Sequence, residues 1–151
     1  MPNSQAMATS FKSEILQAYH NFGTTVTRAT TAADSFKAAL YLASGSLGAA
    51  TTAYSTTSEV TGTNYTAGGV AVTNATAPTT SGTTAYWTPS ASITYTNVTL
   101  STAFDAVLIY NNTQSNRAVS VHTFGSQTIT AGTFTLVMPT NAAGTALLNI
   151  A

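Results

Sequence analysis

A mainly β fold, an antiparallel β-sandwich or jelly roll carrying one N-terminal α-helix, is what this sequence predicts. Three observations carry that expectation. Threonine, favoured with valine where side chains pack on a pleated surface, is the commonest residue from Thr24 onward, where long-chain helix formers (Glu, Lys, Arg, Gln, Met) are scarce. Apolar residues recur at every second position between breaks rich in Gly, Pro and Asn. Only the first twenty-odd residues repeat at helical spacing. At 151 residues, 44% of them hydrophobic, the chain is long enough for one domain with a real core. The expected division is a helix or arm over 1–23 and a β-sandwich domain over 24–151.

Met7, Phe11, Ile15, Tyr19 and Phe22 recur at steps of three and four, so they share one face of a helix expected over about residues 6–21. Gly23 is the expected stop. The stripe either caps one sheet or docks as an arm on a neighbouring subunit. Phe36, Ala38, Leu40 and Leu42 alternate with Lys37, Ala39 and Tyr41, which predicts the first strand, broken by Ser44-Gly45-Ser46 and Gly48. Val70–Val72 follows Gly68-Gly69, Ala77–Gly82 reads as a loop, and Pro89 separates Tyr86-Trp87 from a strand over Ser92–Leu100. In that strand the apolar phase moves from Ile93 and Tyr95 to Val98 and Leu100, which predicts a bulge near Asn97. Phe134, Leu136 and Met138 form another strand face ended by Pro139, and Leu147–Ile150 closes the chain.

The central stretch is the most specific. Phe104–Tyr110 and Arg117–Phe124 flank the turn sequence Asn111–Asn116 and predict a β-hairpin. A turn placed symmetrically sets Leu108 against Val119 and Ala106 against Val121 on one face. Ile109/Ala118, Val107/Ser120 and Asp105/His122 then share the other. Both faces of the first strand are apolar, so both are expected to be covered.

Charged residues are only 5% of the chain, against roughly 25% in an ordinary soluble domain, and net charge is zero. Little electrostatic repulsion opposes association, so the chain is expected inside an assembly. Lys12, Arg28, Lys37 and Arg117 are scattered, which argues against a nucleic-acid partner. No stretch approaches the roughly 20 apolar residues of a membrane-spanning helix, and no cationic-then-apolar leader opens the chain. A membrane partner is therefore not expected, and synthesis in a cytoplasm is. The chain has no cysteine, which removes disulfides and thiolate chemistry.

Candidate chemistry is thin. Asp105 and His122 are the one acid–imidazole pair the hairpin brings together, and a structural cross-strand pair is the expected reading. Asp34 and Glu59 stand alone in sequence, and His20 reads as a solvated helix residue. Two histidines and four acids without ligand spacing predict no metal, and no cofactor is expected. Trp87 and Tyr86 beside Pro89 read as buried or interface anchors ahead of a sugar-stacking platform. The candidate interface is the helix face Phe11, Ile15 and Tyr19 with Tyr86 and Trp87. No catalytic constellation is recognisable, and an enzyme is not expected.

Several segments together resemble small virion structural proteins of tailed bacteriophages. They are Phe36-Lys-Ala-Ala-Leu-Tyr41, Ser58-Glu-Val60 with Gly62–Gly69, the Leu108–Ala118 hairpin, and Phe124-Gly125 with Gly132-Thr-Phe-Thr-Leu136. The similarity covers most of residues 36–138. It departs at Thr123, where an acidic residue often precedes the Phe-Gly pair. The resemblance implies a capsid decoration (cement) protein on the virion surface, made in the host cytoplasm, that bridges major capsid protein subunits. It would also associate with itself as a homodimer or homotrimer. The alternative it leaves open is a head or tail fibre or receptor-binding module. It carries no catalytic residue to transfer.

Overall fold

The structure, a computed structural model, describes residues 2–16, 19–23 and 32–151 (of Lys12, Ser13 and Leu16, the backbone alone). The elements run β1 (Ala6–Met7), α1 (Thr9–Leu16), β2 (Phe36–Leu42), β3 (Val70–Val72), β4 (Thr79–Ser81), β5 (Thr84–Trp87), β6 (Ile93–Asn111), β7 (Arg117–Leu136) and β8 (Leu148–Ile150). They form two antiparallel sheets, a five-stranded one in the order β1-β7-β6-β2-β3 and a three-stranded one in the order β4-β5-β8. The mainly β, sandwich-like architecture with one short N-terminal helix is as the sequence predicts.

Four predicted strands merge into two. Ser92–Leu100 joins Phe104–Tyr110 as β6, and Arg117–Phe124 joins the Phe134–Leu136 run as β7, giving one long two-stranded ribbon. It does not run straight. Between Leu100↔Ile129 and Ala106↔Thr123 the register shifts twice, so extra residues accumulate first on β6 and then on β7. Compensating bulges bend a ribbon without a lasting loss of register. At the bend Phe104 meets Phe134 edge-on at 5.1 Å and Phe124 at 5.9 Å, so the inner side of the corner is filled with rings. The bulge predicted near Asn97 is present: the register shifts between Tyr95 and Val98, and Asn97 takes φ 58°.

The central hairpin forms, with a register two residues away from the symmetric one. Leu108 faces Val121, Ala106 faces Thr123, Val107 faces His122 and Ile109 faces Ser120. Two local events produce the shift. The turn is one residue shorter, since Asn111 pairs with Arg117, and Val119 is an extra residue between Tyr110↔Ala118 and Ile109↔Ser120. One such step alone would turn the apolar set of β7 outward; two restore it. Asn111 Oδ1 accepts from the N–H groups of Thr113 and Gln114 at 3.1 Å each, which holds the turn closed.

Both faces of β2 and of the adjoining part of β6 are buried, as their sequences predict. Residues 51–69 cover one face. Tyr54 stacks on Tyr110 at 4.9 Å, and Glu59 bridges to Tyr41 at the strand edge. Between β3 and that bridge, the edge of β2 away from β6 has no strand neighbour among the described residues. There Tyr95 Oη donates to the Ala38 carbonyl at 2.7 Å, and Leu40 N–H donates to Tyr65 Oη at 3.0 Å. Tyrosine hydroxyls thus satisfy backbone groups that a strand would otherwise have paired. Gly69, at φ 70°, lies so close to β2 that a Cβ would overlap the Ala38 carbonyl.

The N-terminal segment covers the other face. β1 pairs with Ser120 and Val121, and Ala8 N–H donates to Val119 O at 3.0 Å. Asn3 Nδ2 donates to Asp105 Oδ1 at 2.7 Å and to Leu42 O at 2.9 Å. From this segment Ala8 and Phe11 enter the buried core. The helix is shorter than its stripe predicts. Met7 belongs to β1, α1 is described over Thr9–Leu16, and residues 19–21 are not helical, with the N–H of Tyr19 meeting Glu14 O at 3.0 Å. The predicted continuation through residues 17 and 18, and the predicted start of the sandwich at 24–31, lie outside the described residues.

The predicted loop Ala77–Gly82 contains β4, joined to β5 by the two-residue turn Gly82-Thr83. Gly82 takes φ 58°, the positive φ that opens a primed hairpin turn. This small sheet is tied to the large one by rings. Phe22 stacks on Phe36 at 4.5 Å and meets Trp87 at 4.6 Å.

Candidate functional site

Where the N-terminal segment meets the small sheet, a groove of about 400 Å³ remains open. Its walls come from three stretches far apart in sequence: Phe11, Ile15 and His20–Phe22; Ala77-Pro78 with Ala85–Trp87; and Leu148 with Ile150. Four of the five predicted interface residues, Phe11, Ile15, Tyr86 and Trp87, line it together. They do not contribute equally. Ile15 and Tyr86 are half-buried and reach the opening, whereas Phe11 and Trp87 are 1% and 2% exposed and form the floor. Those two belong to the core and meet the groove only from below. At 2% exposure the Trp87 ring offers no open face for a sugar, and its Nε1–H donates to Thr76 O at 2.8 Å. Tyr19, 36% exposed, lies outside the groove with the Arg117 guanidinium 4.3 Å over its ring.

Sequence reasoning missed Phe22, Leu148 and Ile150 as parts of this groove. Ile150, 44% exposed, supplies apolar surface at its mouth. A closing strand of three residues gives no sequence signal of where it packs.

His20 is buried, contrary to the solvated placement its sequence predicts. It stands between the groove and a polar network. Asn111 Nδ2 donates to His20 Nδ1 at 3.2 Å and to Asp34 Oδ2 at 2.7 Å, so both amide hydrogens are used. An amide nitrogen only donates, which makes Nδ1 the acceptor and leaves the proton on Nε2. Nε2 then donates to Glu14 Oε2 at 2.7 Å, and Arg117 Nη1 donates to Glu14 Oε1 at 2.6 Å. Asp34 also accepts from Asn21 N–H at 3.0 Å and Gln114 Nε2 at 3.3 Å. Burial holds the His20 pKa below its ordinary value, against the pull of the Glu14 carboxylate. The ring is neutral, and both of its nitrogens are occupied by the protein itself.

A third buried carboxylate, Glu59, accepts from Tyr54 Oη at 2.6 Å, Tyr65 Oη at 2.9 Å and Gly68 N–H at 2.7 Å. Burial, with the nearby Glu59 charge, pushes the Tyr41 and Tyr110 hydroxyls up to about 12 and those of Tyr54, Tyr65 and Tyr95 higher still. These phenols stay protonated and act as hydrogen-bond donors.

The predicted Asp105–His122 pair does not form. Asp105 is held by Asn3, while His122 Nε2 lies 2.9 Å from Ser120 Oγ, two residues along its own strand. His122 lines a smaller apolar recess of about 130 Å³, and burial pulls its pKa down to about 4. Among the described residues no three His, Cys, Asp or Glu side chains gather where they could hold a metal ion. No described helix is long and apolar enough to cross a membrane. The chain matches no family model, no characterised protein and no solved structure.

Proposed function

We propose that this chain is a structural protein of a bacteriophage particle, a cement or decoration protein that sits on the capsid and bridges major capsid subunits. The observation that carries the reading is the groove beside Ile15, Tyr86 and Ile150, an apolar docking feature on a surface nearly devoid of charge. An apolar side chain or short segment of a shell subunit would fill it. Few charges make such attachment insensitive to salt. A standard interface of about 1,600 Å² would hold each copy, and many copies on one lattice add through avidity. The enclosed network around His20 supports the same reading, because it spends the chain's few ionisable groups on rigidity.

The test is addition of the purified protein to capsid shells that lack it. Saturable binding that survives 1 M salt (where the Debye length is about 3 Å) and raises the temperature at which shells release DNA is the expected result. Tyr86→Ala with Ile150→Ala should abolish binding while the protein stays folded. Absence of the wild-type protein from purified mature particles would overturn the proposal. A copy number of a few dozen or fewer, with binding to host envelope, would assign the chain to a fibre instead.

A further inference from the structure

The surroundings of His20 accept one ring proton and refuse a second. Nε2–H donates to Glu14 Oε2 at 2.7 Å, and the bare Nδ1 faces Asn111 Nδ2 at 3.2 Å. The Asn111 amide cannot turn round to receive another proton. Its Oδ1 already accepts from the N–H groups of Thr113 and Gln114, and its Nδ2 also donates to Asp34 Oδ2 at 2.7 Å. A flip would set an NH2 group against two N–H groups and an oxygen against a carboxylate. A proton on Nδ1 would therefore point at another donor, on a side chain with no solvent-exposed surface.

Three charged groups act on the ring: Glu14 from α1, Asp34 from the stretch before β2, and Arg117 from β7. Tyr86 is the titratable residue on the far wall of the groove. The carboxylates draw a cation and Arg117 repels it, yet all the carboxylate oxygens are already engaged by other donors or by Nε2–H. Burial outweighs their pull and keeps the seated ring neutral. One direction is open to a ring that must leave. Asn111 is wholly buried and held at both ends of its amide, whereas His20 stands on non-helical backbone in the groove wall.

We propose that His20 is a proton-operated latch on the groove: a second ring proton drives the imidazolium out of the network and into the groove, where it blocks apolar docking. Water reaches both N–H groups there, because the groove is open. The turned-out ring titrates as an ordinary histidine, near 6.5, and the seated ring below that value. The seated form is therefore intact above pH 6.5 and yields as the pH falls. The consequence for docking rests on the function proposed above; the movement of the ring does not.

The test is a titration of the isotope-labelled chain by nuclear magnetic resonance, from about pH 7.5 down to 4.5, across the range in which histidine changes charge. At neutral pH the His20 ring should carry its proton on Nε2 alone and show contacts to Phe11, whose ring centroid lies 4.7 Å away. On acidification it should lose those contacts and gain others to Ile150 at the groove mouth, with a midpoint below 6.5. The indole signal of Trp87, the one tryptophan, should follow the same curve, while buried Tyr95 keeps its folded signal. His20→Gln retains a donor and an acceptor but takes no proton, so the groove signals should stop titrating. His122→Gln should leave them as in the wild type. Asn111→Asp replaces the opposing donor by an acceptor, and the His20 midpoint should rise by about one pH unit or more. Should that variant fail to fold, the wild-type contacts and His20→Gln decide alone. A His20 ring that gains its second proton while still against Phe11 would overturn the proposal. So would groove signals that titrate alike in wild type and His20→Gln, or a folded Asn111→Asp with no rise in midpoint. No shell is present in this measurement, so a failed latch leaves the docking reading standing, and a failure to bind shells leaves the latch.

Discussion

The Glu14 carboxylate and the His20 imidazole lie 2.7 Å apart, and the ring has no solvent-exposed surface. Glu14 is the common acceptor for His20 and for Arg117, which comes from the far end of the central hairpin. One side chain of α1 therefore fixes both the segment that follows the helix and the start of β7. The exchange also explains why a chain with so few charges retains this group in its interior: the buried His20 Nε2–H would be stranded without it.

Replacing Glu14 by Ala is expected to cost about 3 kcal/mol, the low end for breaking a buried ion pair. The low end applies because Arg117 is 35% exposed and regains water. Urea unfolding followed by tyrosine fluorescence measures it. A loss below about 1 kcal/mol, the scale of an exposed pair, would show the contact to be superficial.

Acid should destabilise the protein through His122. Its folded pKa, about 4, lies below the ordinary 6.5, so the unfolded chain binds the proton more readily. Stability is then full above about pH 6.5 and declines as pH falls toward 4. The total is at most about 3 kcal/mol at 1.36 kcal/mol per pKa unit. Burial of His20 acts in the same direction. His122→Gln should flatten the fall in melting temperature between pH 6.5 and 4. Parallel profiles for the two proteins would exclude His122 as the source.

Deleting residues 1–22 should unfold or aggregate the chain. The deletion removes β1, the buried Phe11 ring, the Glu14–His20 pair and the Phe22–Phe36 stack together. Near-ultraviolet circular dichroism of the soluble fraction decides the matter. A truncated protein that melts cooperatively would mean that the segment is a separable arm.

Much of this fold is legible in the sequence where burial is periodic. The hairpin strands stand out because apolar residues crowd both faces, and the Asn97 bulge because a bulge changes the phase of alternation. The two-residue register shift leaves no such trace, since Val119 fits either a paired or a bulged position. The helix is over-extended in the sequence reading because Tyr19 and Phe22 keep helical spacing beyond Leu16. In the structure they leave the helix, and Phe22 reaches Phe36 from non-helical backbone. The groove is legible only in part. Phe11, Ile15, Tyr86 and Trp87 are conspicuous as residues, but their meeting depends on β5, which pairs with a strand more than sixty positions away. The burial of His20 was out of reach for the same reason, because Asn111 lies 91 residues from it.

The Asn97 bulge separates a backbone effect from a side-chain effect. Asn97 sits at φ 58°, and its carbonyl accepts from Asn64 Nδ2 at 2.9 Å while its own side chain is exposed. A β-branched residue at this φ is strained by about 1–2 kcal/mol, whereas glycine is not. Asn97→Val should therefore lower the melting temperature, at about 2–4 °C per kcal/mol for a domain this size. Asn97→Gly should change it little, since the Asn64 bond goes to the backbone and survives in both. Equal losses in the two variants would trace the effect to the asparagine side chain. No loss in the valine variant would mean that β6 passes this point without a left-handed residue, and the register of the whole outer ribbon would then need to be redrawn.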